Sequence, residues 1–212
     1  MRFVRPALWI VFGWLLPLHA GADVFPRDDI LTDPAWNRYT VCYAHGCNSL
    51  GYVSLSEEQW GQVRDILLPL SDTAAEERQR IRAAIALMEK FSGIATGTWR
   101  DKGGTFNFGI DGQMDCIDES VNTSLYLTMF HRYGMLRHHR VVDRATRGWF
   151  LFGWPHTTAV IRENARNARW AVDSWFLDNG EPPFILPLEV WKRGWKPGDC
   201  EDCRAIVPEQ AN

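Results

Sequence analysis

The stretch Asp111–Gly134, DGQMDCIDESVNTSLYLTMFHRYG, decides how the rest of the chain is read. It reads as a loop feeding a buried helix. Asp115 is placed as an N-cap, with Asp118 three residues on as the partner acid of a capping box. Ile117, Val121, Leu125 and Met129 form an apolar stripe, joined by Leu127 and Phe130. Gly134 stands where a C′ glycine ends a helix. Cys116 therefore falls in the first turn, where free backbone N–H groups and the positive dipole end favour a thiolate. Ser120 and Thr123 are small enough for another layer to approach the sulfur.

Outward from this helix, the chain start MRFVRPALWIVFGWLLPLHAGADV has a basic beginning at Arg2 and Arg5. A short apolar core, Ala7–Leu18, follows, and Ala20-Gly21-Ala22 gives a cleavage pattern. This predicts a signal peptide over 1–22, cleaved after Ala22, and a secreted or periplasmic protein with no stable membrane insertion after cleavage. The rest, 23–212, has the length of one domain. Removing Arg2 and Arg5 takes the formal charge from −3 to −5, which gives no reason to expect nucleic acid as a partner.

The five cysteines are Cys42, Cys47, Cys116, Cys200 and Cys203. In an oxidising compartment the two close sets, Cys42/Cys47 and Cys200/Cys203, are disulfide candidates, and Cys116 is left over. Four cysteines allow three connectivities. A zinc site from the same four is the rival reading, with His138 and His139 a second metal possibility.

Before the central helix, Asp23–Val53 reads as an irregular arm stapled by Cys42–Cys47. Ser56 with Gln59 starts a helix that buries Trp60, Val63, Ile66 and Leu67. Thr73 with Glu76 starts a longer one with Ile81, Ile85 and Met88 inside, ended by Gly93 and Gly97. Its charged opening, Glu76-Glu77-Arg78-Gln79-Arg80, reads as a solvated face with i,i+4 pairs. After it, Arg137, His138, His139, Arg140 and Arg144 read as a solvated strand and turn. Thr157–Arg162 and Trp170–Phe176 are strand-like, joined by a polar segment, and Phe184–Leu188 is a third short strand. Helices first and a β-meander later predict an α+β domain. No metal or cofactor is expected.

A nucleophilic cysteine needs a base, and the base an orienting group. Of the six histidines, His156 opens the first of these strands. If it stood directly opposite Asp173, the turn would fall at Asn164–Ala165, and the carboxylate could accept the imidazole Nδ1–H and leave Nε2 for the sulfur. Gln113 is a candidate side-chain donor to an oxyanion.

The segments MDCIDES, PHTTAVIRE and RWAVDSWFLDNG resemble the transglutaminase-like superfamily, nearest to the bacterial transglutaminase-like cysteine proteinases. Met114 stands where many members carry glycine. The resemblance implies a transglutaminase-like or papain-like core, with N-terminal helices and a cysteine-bearing helix packed on an antiparallel β-sheet. It implies catalytic roles for Cys116, His156 and Asp173: nucleophile, base and orienter of a thiol hydrolase acting on a protein or peptide substrate. Acyl transfer to an amine, and a non-catalytic exported binding module on the same fold, are the alternatives.

Overall fold

The computed structural model describes residues 25–148 and 155–199. The expected signal peptide and Cys200 and Cys203 lie outside the described residues. Helix α1 (Glu57–Leu67) begins at a complete capping box, the Ser56 hydroxyl accepting the Gln59 N–H while the Gln59 side chain accepts the Ser56 N–H. Trp60, Val63 and Leu67 are buried, whereas Ile66 is only partly so. Helix α2 (Ala74–Thr96) is capped by Thr73 and ends at the left-handed Gly97. Gly93 lies inside α2 rather than at its end. A Cβ there would crowd the Trp99 backbone at 3.0 Å, so glycine lets the 3-10 turn Thr98–Arg100 fold back against the helix.

Helix α3 (Cys116–Arg132) also starts at a reciprocal box, between Asp115 and Asp118. Gly134, with φ +67°, follows its last turn. Ile117 does not head the apolar stripe; it is exposed, between the buried Cys116 and a run of burial that is unbroken from Asp118 to Leu127. A helix enclosed on all sides needs small or paired polar residues where neighbours press close, and Ser120, Asn122, Thr123 and Ser124 supply them.

The described part of the N-terminal segment is irregular up to Arg38, as expected, but its second half is a hairpin. Strands β1 (Tyr39–Tyr43) and β2 (Ser49–Val53) pair antiparallel, Tyr39 opposite Val53, and the Cys42–Cys47 disulfide closes the turn. The Asn122 side chain accepts the Cys42 N–H at 2.7 Å and donates to its carbonyl at 2.9 Å, which fastens β1 to α3.

The second sheet is an antiparallel meander in the order β3 (His139–Arg147), β4 (His156–Glu163), β5 (Arg169–Asp173), β6 (Phe184–Pro187). A short helix α4 (Leu188–Lys192), not expected from the sequence, follows directly. Ala159 faces Val172 and Val160 faces Ala171. This register is displaced by two residues from one that sets His156 opposite Asp173. The connection is Asn164–Asn167, with Asn167 at φ +58° and the Glu163 N–H on the Ala168 carbonyl, rather than a tight turn at Asn164–Ala165. Strand β5 stops at Asp173 because the chain turns there, the Leu177 N–H reaching the Ser174 carbonyl. The main core lies between the helices and this sheet, with Ile81, Ile85, Met88, Leu127, Phe130, Ile161 and Val172 inside. The molecule is thus mixed α+β with antiparallel sheets. No helix among the described residues is long and apolar enough to cross a membrane.

The charged opening of α2 is not wholly solvated. Arg80 and Glu76 do pair at i,i+4, but Glu77 and Arg78 are buried. Glu77 accepts the backbone N–H groups of Arg137, His138 and His139. It also faces His139 Nδ1 at 2.9 Å. Arg78 reaches His139 Nε2 at 3.1 Å and Glu163 at 3.2 Å, with its guanidinium over the Trp170 ring. Arginine only donates, so His139 Nε2 accepts and Nδ1 carries the hydrogen toward Glu77. The cluster pins α2 to the meander and takes His139 out of the solvated strand expected for it.

Candidate active site

Cys116 is the first residue of α3 and is 6% exposed. Its Sγ lies 3.9 Å from the carbonyl of Pro155, and the Thr157 N–H is directed at it. The start of α3 therefore abuts the start of β4. Helix position alone predicts a stabilised thiolate, and the structure reverses that. Burial pushes the Cys116 thiol up to about 12, with the Asp115 and Asp173 charges acting in the same direction. The N–H groups of Thr157 and Cys116 oppose this and are outweighed. A helix end contributes only ~1 kcal/mol. Here much of it is spent on Asp115, whose carboxylate takes the N–H groups of Ile117 and Asp118 at 2.9 and 3.0 Å.

The displaced β4–β5 register keeps His156 and Asp173 on one face of the sheet, because a shift of two residues preserves the alternation. They are diagonal rather than direct neighbours, a spacing that long side chains bridge. The ring nitrogen that meets Asp173 is Nε2, 2.7 Å from Oδ2, not Nδ1 as the directly opposed register implies. An ionised carboxylate only accepts, so Nε2 holds the hydrogen and Nδ1 is the acceptor. Nδ1 is buried and has no hydrogen-bond partner among the described residues. The same Oδ2 accepts the indole N–H of Trp191, on α4, at 2.6 Å. Rings of Trp175, Phe176 and Trp191 surround the imidazole at 4.9, 5.1 and 5.4 Å. Nothing local in the sequence marks Trp191 as a partner of Asp173, because the two lie 18 residues apart.

Cys116 and His156 open onto one cavity of about 530 Å3, with Phe106, Trp175 and Phe176 among its walls. Gln113 is elsewhere engaged. Its Nε2 donates to the Arg100 carbonyl at 2.9 Å, and its Oε1 accepts from Asn107 and the Lys102 N–H. It anchors the loop before α3 rather than facing the cavity as an oxyanion donor.

The disulfide-closed turn holds the start of α3. Ala44, His45, Gly46 and Cys47 all have positive φ, between 60° and 68°. Successive N–H groups of such a turn converge to make an anion-binding concavity. Here the N–H groups of His45 and Cys47 donate to Asp118 at 2.8 and 2.6 Å, and that of Gly46 to Asp115 at 2.9 Å. The Ala44 N–H takes the Gln113 carbonyl. The capping acids of α3 thus serve two purposes at once. Behind them lie further buried acids. Burial raises Glu89 to about 8 and Asp101 and Asp118 to about 7, and lifts Glu119 as well.

Cys42 and Cys47 are joined to each other, so they offer no thiolates to zinc. His138 Nε2 meets the Ser71 carbonyl, and both nitrogens of His139 are taken by Glu77 and Arg78. Comparison with known protein families, curated proteins and solved structures found no match for this chain.

Proposed function

We propose that the protein is an exported thiol hydrolase that cleaves a peptide or amide bond through Cys116, His156 and Asp173, on a transglutaminase-like core. One observation carries this reading. A sulfur at a helix start and an imidazole already held by a carboxylate, Nε2 to Oδ2 at 2.7 Å, face the same cavity. Export rests on the basic start, apolar core and cleavage pattern of residues 1–22, and is supported by the Cys42–Cys47 disulfide.

In this mechanism Sγ turns from the Pro155 carbonyl toward Nδ1 and gives up its proton as it attacks the substrate carbonyl carbon. The imidazolium that results is held through Nε2–H by Asp173. Because burial raises the thiol, Cys116 rests as the thiol and its proton leaves when Nδ1 is there to take it. The N–H groups of Ile117 and Asp118 are taken by Asp115, which leaves the Cys116 N–H as the backbone donor to the oxyanion. Nδ1–H then protonates the leaving amine. Water, deprotonated by the same nitrogen, hydrolyses the thioester and restores the thiol.

The test is the pH profile of Cys116 alkylation by iodoacetamide. The native protein is expected to react at neutral pH at least tenfold faster than H156A, whose rate climbs only far into the alkaline range. Superimposable profiles would instead favour the non-catalytic binding module, which the high thiol pKa supports. A labelled amine added with peptide substrates separates hydrolysis from acyl transfer: incorporation without net cleavage identifies a transglutaminase-type enzyme.

A further inference from the structure

From the side chains around this cavity we infer that the substrate is an acidic peptide, recognised by a cationic wall built from Arg147, Lys192, Arg193 and Lys196. The inference rests on the hydrolase reading and names the substrate class for that site.

All four cations line the cavity that holds Cys116 and His156, and among the described residues no aspartate or glutamate lines it. This contrasts with the chain as a whole, whose formal charge is −3. The wall is also held in place. Trp191 and Trp195 are buried, 0% and 5% exposed, while Lys192, Arg193 and Lys196 between and beside them are exposed. Gly194, with φ +95°, turns the chain between the two anchors so that the charged residues project from a packed base. Arg147 is fixed from β3, its guanidinium 4.3 Å over the Trp191 ring and bonded to the Trp191 carbonyl. Among the described residues, the acids whose charge reaches Arg147 are Asp173, already bound to His156 and Trp191, and Asp199, which caps the Lys196 N–H at 2.8 Å.

Phe106, Trp175 and Phe176 provide the apolar part of the same cavity. A cationic wall and an aromatic wall around one nucleophile suit a segment that alternates carboxylates with apolar side chains. Pre-placed charges hold such a segment with little ordering of the protein. They also draw it in by its field, an effect that salt screens.

The experiment uses full-length C116A protein and two fluorescent pools of capped octapeptides, one containing Asp and Glu, the other Asn and Gln in their place. The acidic pool is expected to bind roughly tenfold tighter at low salt, from about two- to fourfold per exposed charge, and to lose that lead as salt rises. K192E/R193E/K196E in the C116A background should reverse the preference, and K192Q/R193Q/K196Q should abolish it. These side chains are exposed, so thermal midpoints near that of the parent are expected and confirm folding. Equal binding of the two pools, or a preference unmoved by either triple variant, overturns the inference. So does a single-stranded oligonucleotide bound as tightly as the acidic pool. Wild-type protein with the same pools separates the two claims. Cleavage without acid preference sinks the inference and leaves the hydrolase; selective binding with an unreactive Cys116 does the reverse.

Discussion

Trp191 donates its indole N–H to Oδ2 of Asp173 at 2.6 Å, on the oxygen that also faces the imidazole of His156. A buried carboxylate needs its lone pairs filled, and here an aromatic side chain from α4 does so where a second charge would disturb the ring. Replacing Trp191 by Phe keeps most of the ring and removes the donor. The variant should lose about 2–4 kcal/mol, from the bond to a charged acceptor and the void left by the smaller ring. Chemical denaturation measures that. If Asp173 is then less firmly held, the pH profile of Cys116 alkylation should shift as well, which a purely structural role would not cause.

Glu89, Asp101 and Asp118 make stability depend on pH in an unusual direction. Their folded values are raised to about 8, 7 and 7, above the ordinary 4.5 and 3.8 of free Glu and Asp. Groups raised on folding bind more protons in the native state, so their contribution is complete below the unfolded values and is lost as pH rises through the folded ones. Glu77 works the other way. Burial pushes it up, but hydrogen bonds from His139 and the backbone of Arg137 and His138 together outweigh that and lower it, so its contribution is lost as pH falls below about 4.5. The thermal midpoint should therefore peak near pH 5 and decline toward pH 8. Glu89→Gln can keep the bond from the Gly180 N–H and cannot ionise, so it should flatten that decline. A midpoint rising from pH 5 to 8 would contradict the assignment.

The disulfide at Cys42–Cys47 closes a small ring, worth ~2 kcal/mol in loop entropy. Its larger effect should be local. A run of left-handed residues that includes Ala44, His45 and Cys47 is costly, at roughly 1 kcal/mol each or more. The turn persists because Asp115 and Asp118 collect its N–H groups. In C42S/C47S, amide exchange should quicken at His45, Gly46 and Cys47 (here serine) and at the first turn of α3, well before β4 and β5 are affected. Uniform change across the molecule would show that the turn and the helix start are not coupled.

Gly103 sits where a Cβ would fall onto the backbone of Leu177, in the loop facing the cavity. Its neighbour Gly104 donates its N–H to the Trp175 carbonyl at 2.6 Å. Backbone cannot step aside as a flexible side chain can, so G103A should cost about 1–3 kcal/mol and displace Trp175 from the imidazole. G104A, open to solvent but with φ +67°, should cost about 1 kcal/mol through backbone strain alone and leave the site in place.

What could be read from the sequence was what depends on neighbours along the chain. Ser56 with Gln59, Thr73 with Glu76, and Asp115 with Asp118 begin the three long helices, since a cap is a contact within one turn. The alternation that puts His156 and Asp173 on one face was legible too, and survives the two-residue register shift. The shift itself was not, because it depends on how the Asn164–Asn167 connection closes. Burial of Glu77 and Arg78 was hidden because their partners, His139 and Glu163, lie far along the chain. The thiol of Cys116 was misjudged for the same reason: the helix end is written locally, whereas desolvation belongs to the packed whole.

The cluster around His156 also has an order of arrival. Cys116 leaves the ribosome first, then the imidazole at 156, then the carboxylate at 173, and only later the indole at 191. A nascent chain stalled before residue 173 carries the sulfur and the imidazole but nothing to orient them, so this machinery stays unassembled until the meander and α4 have both been made.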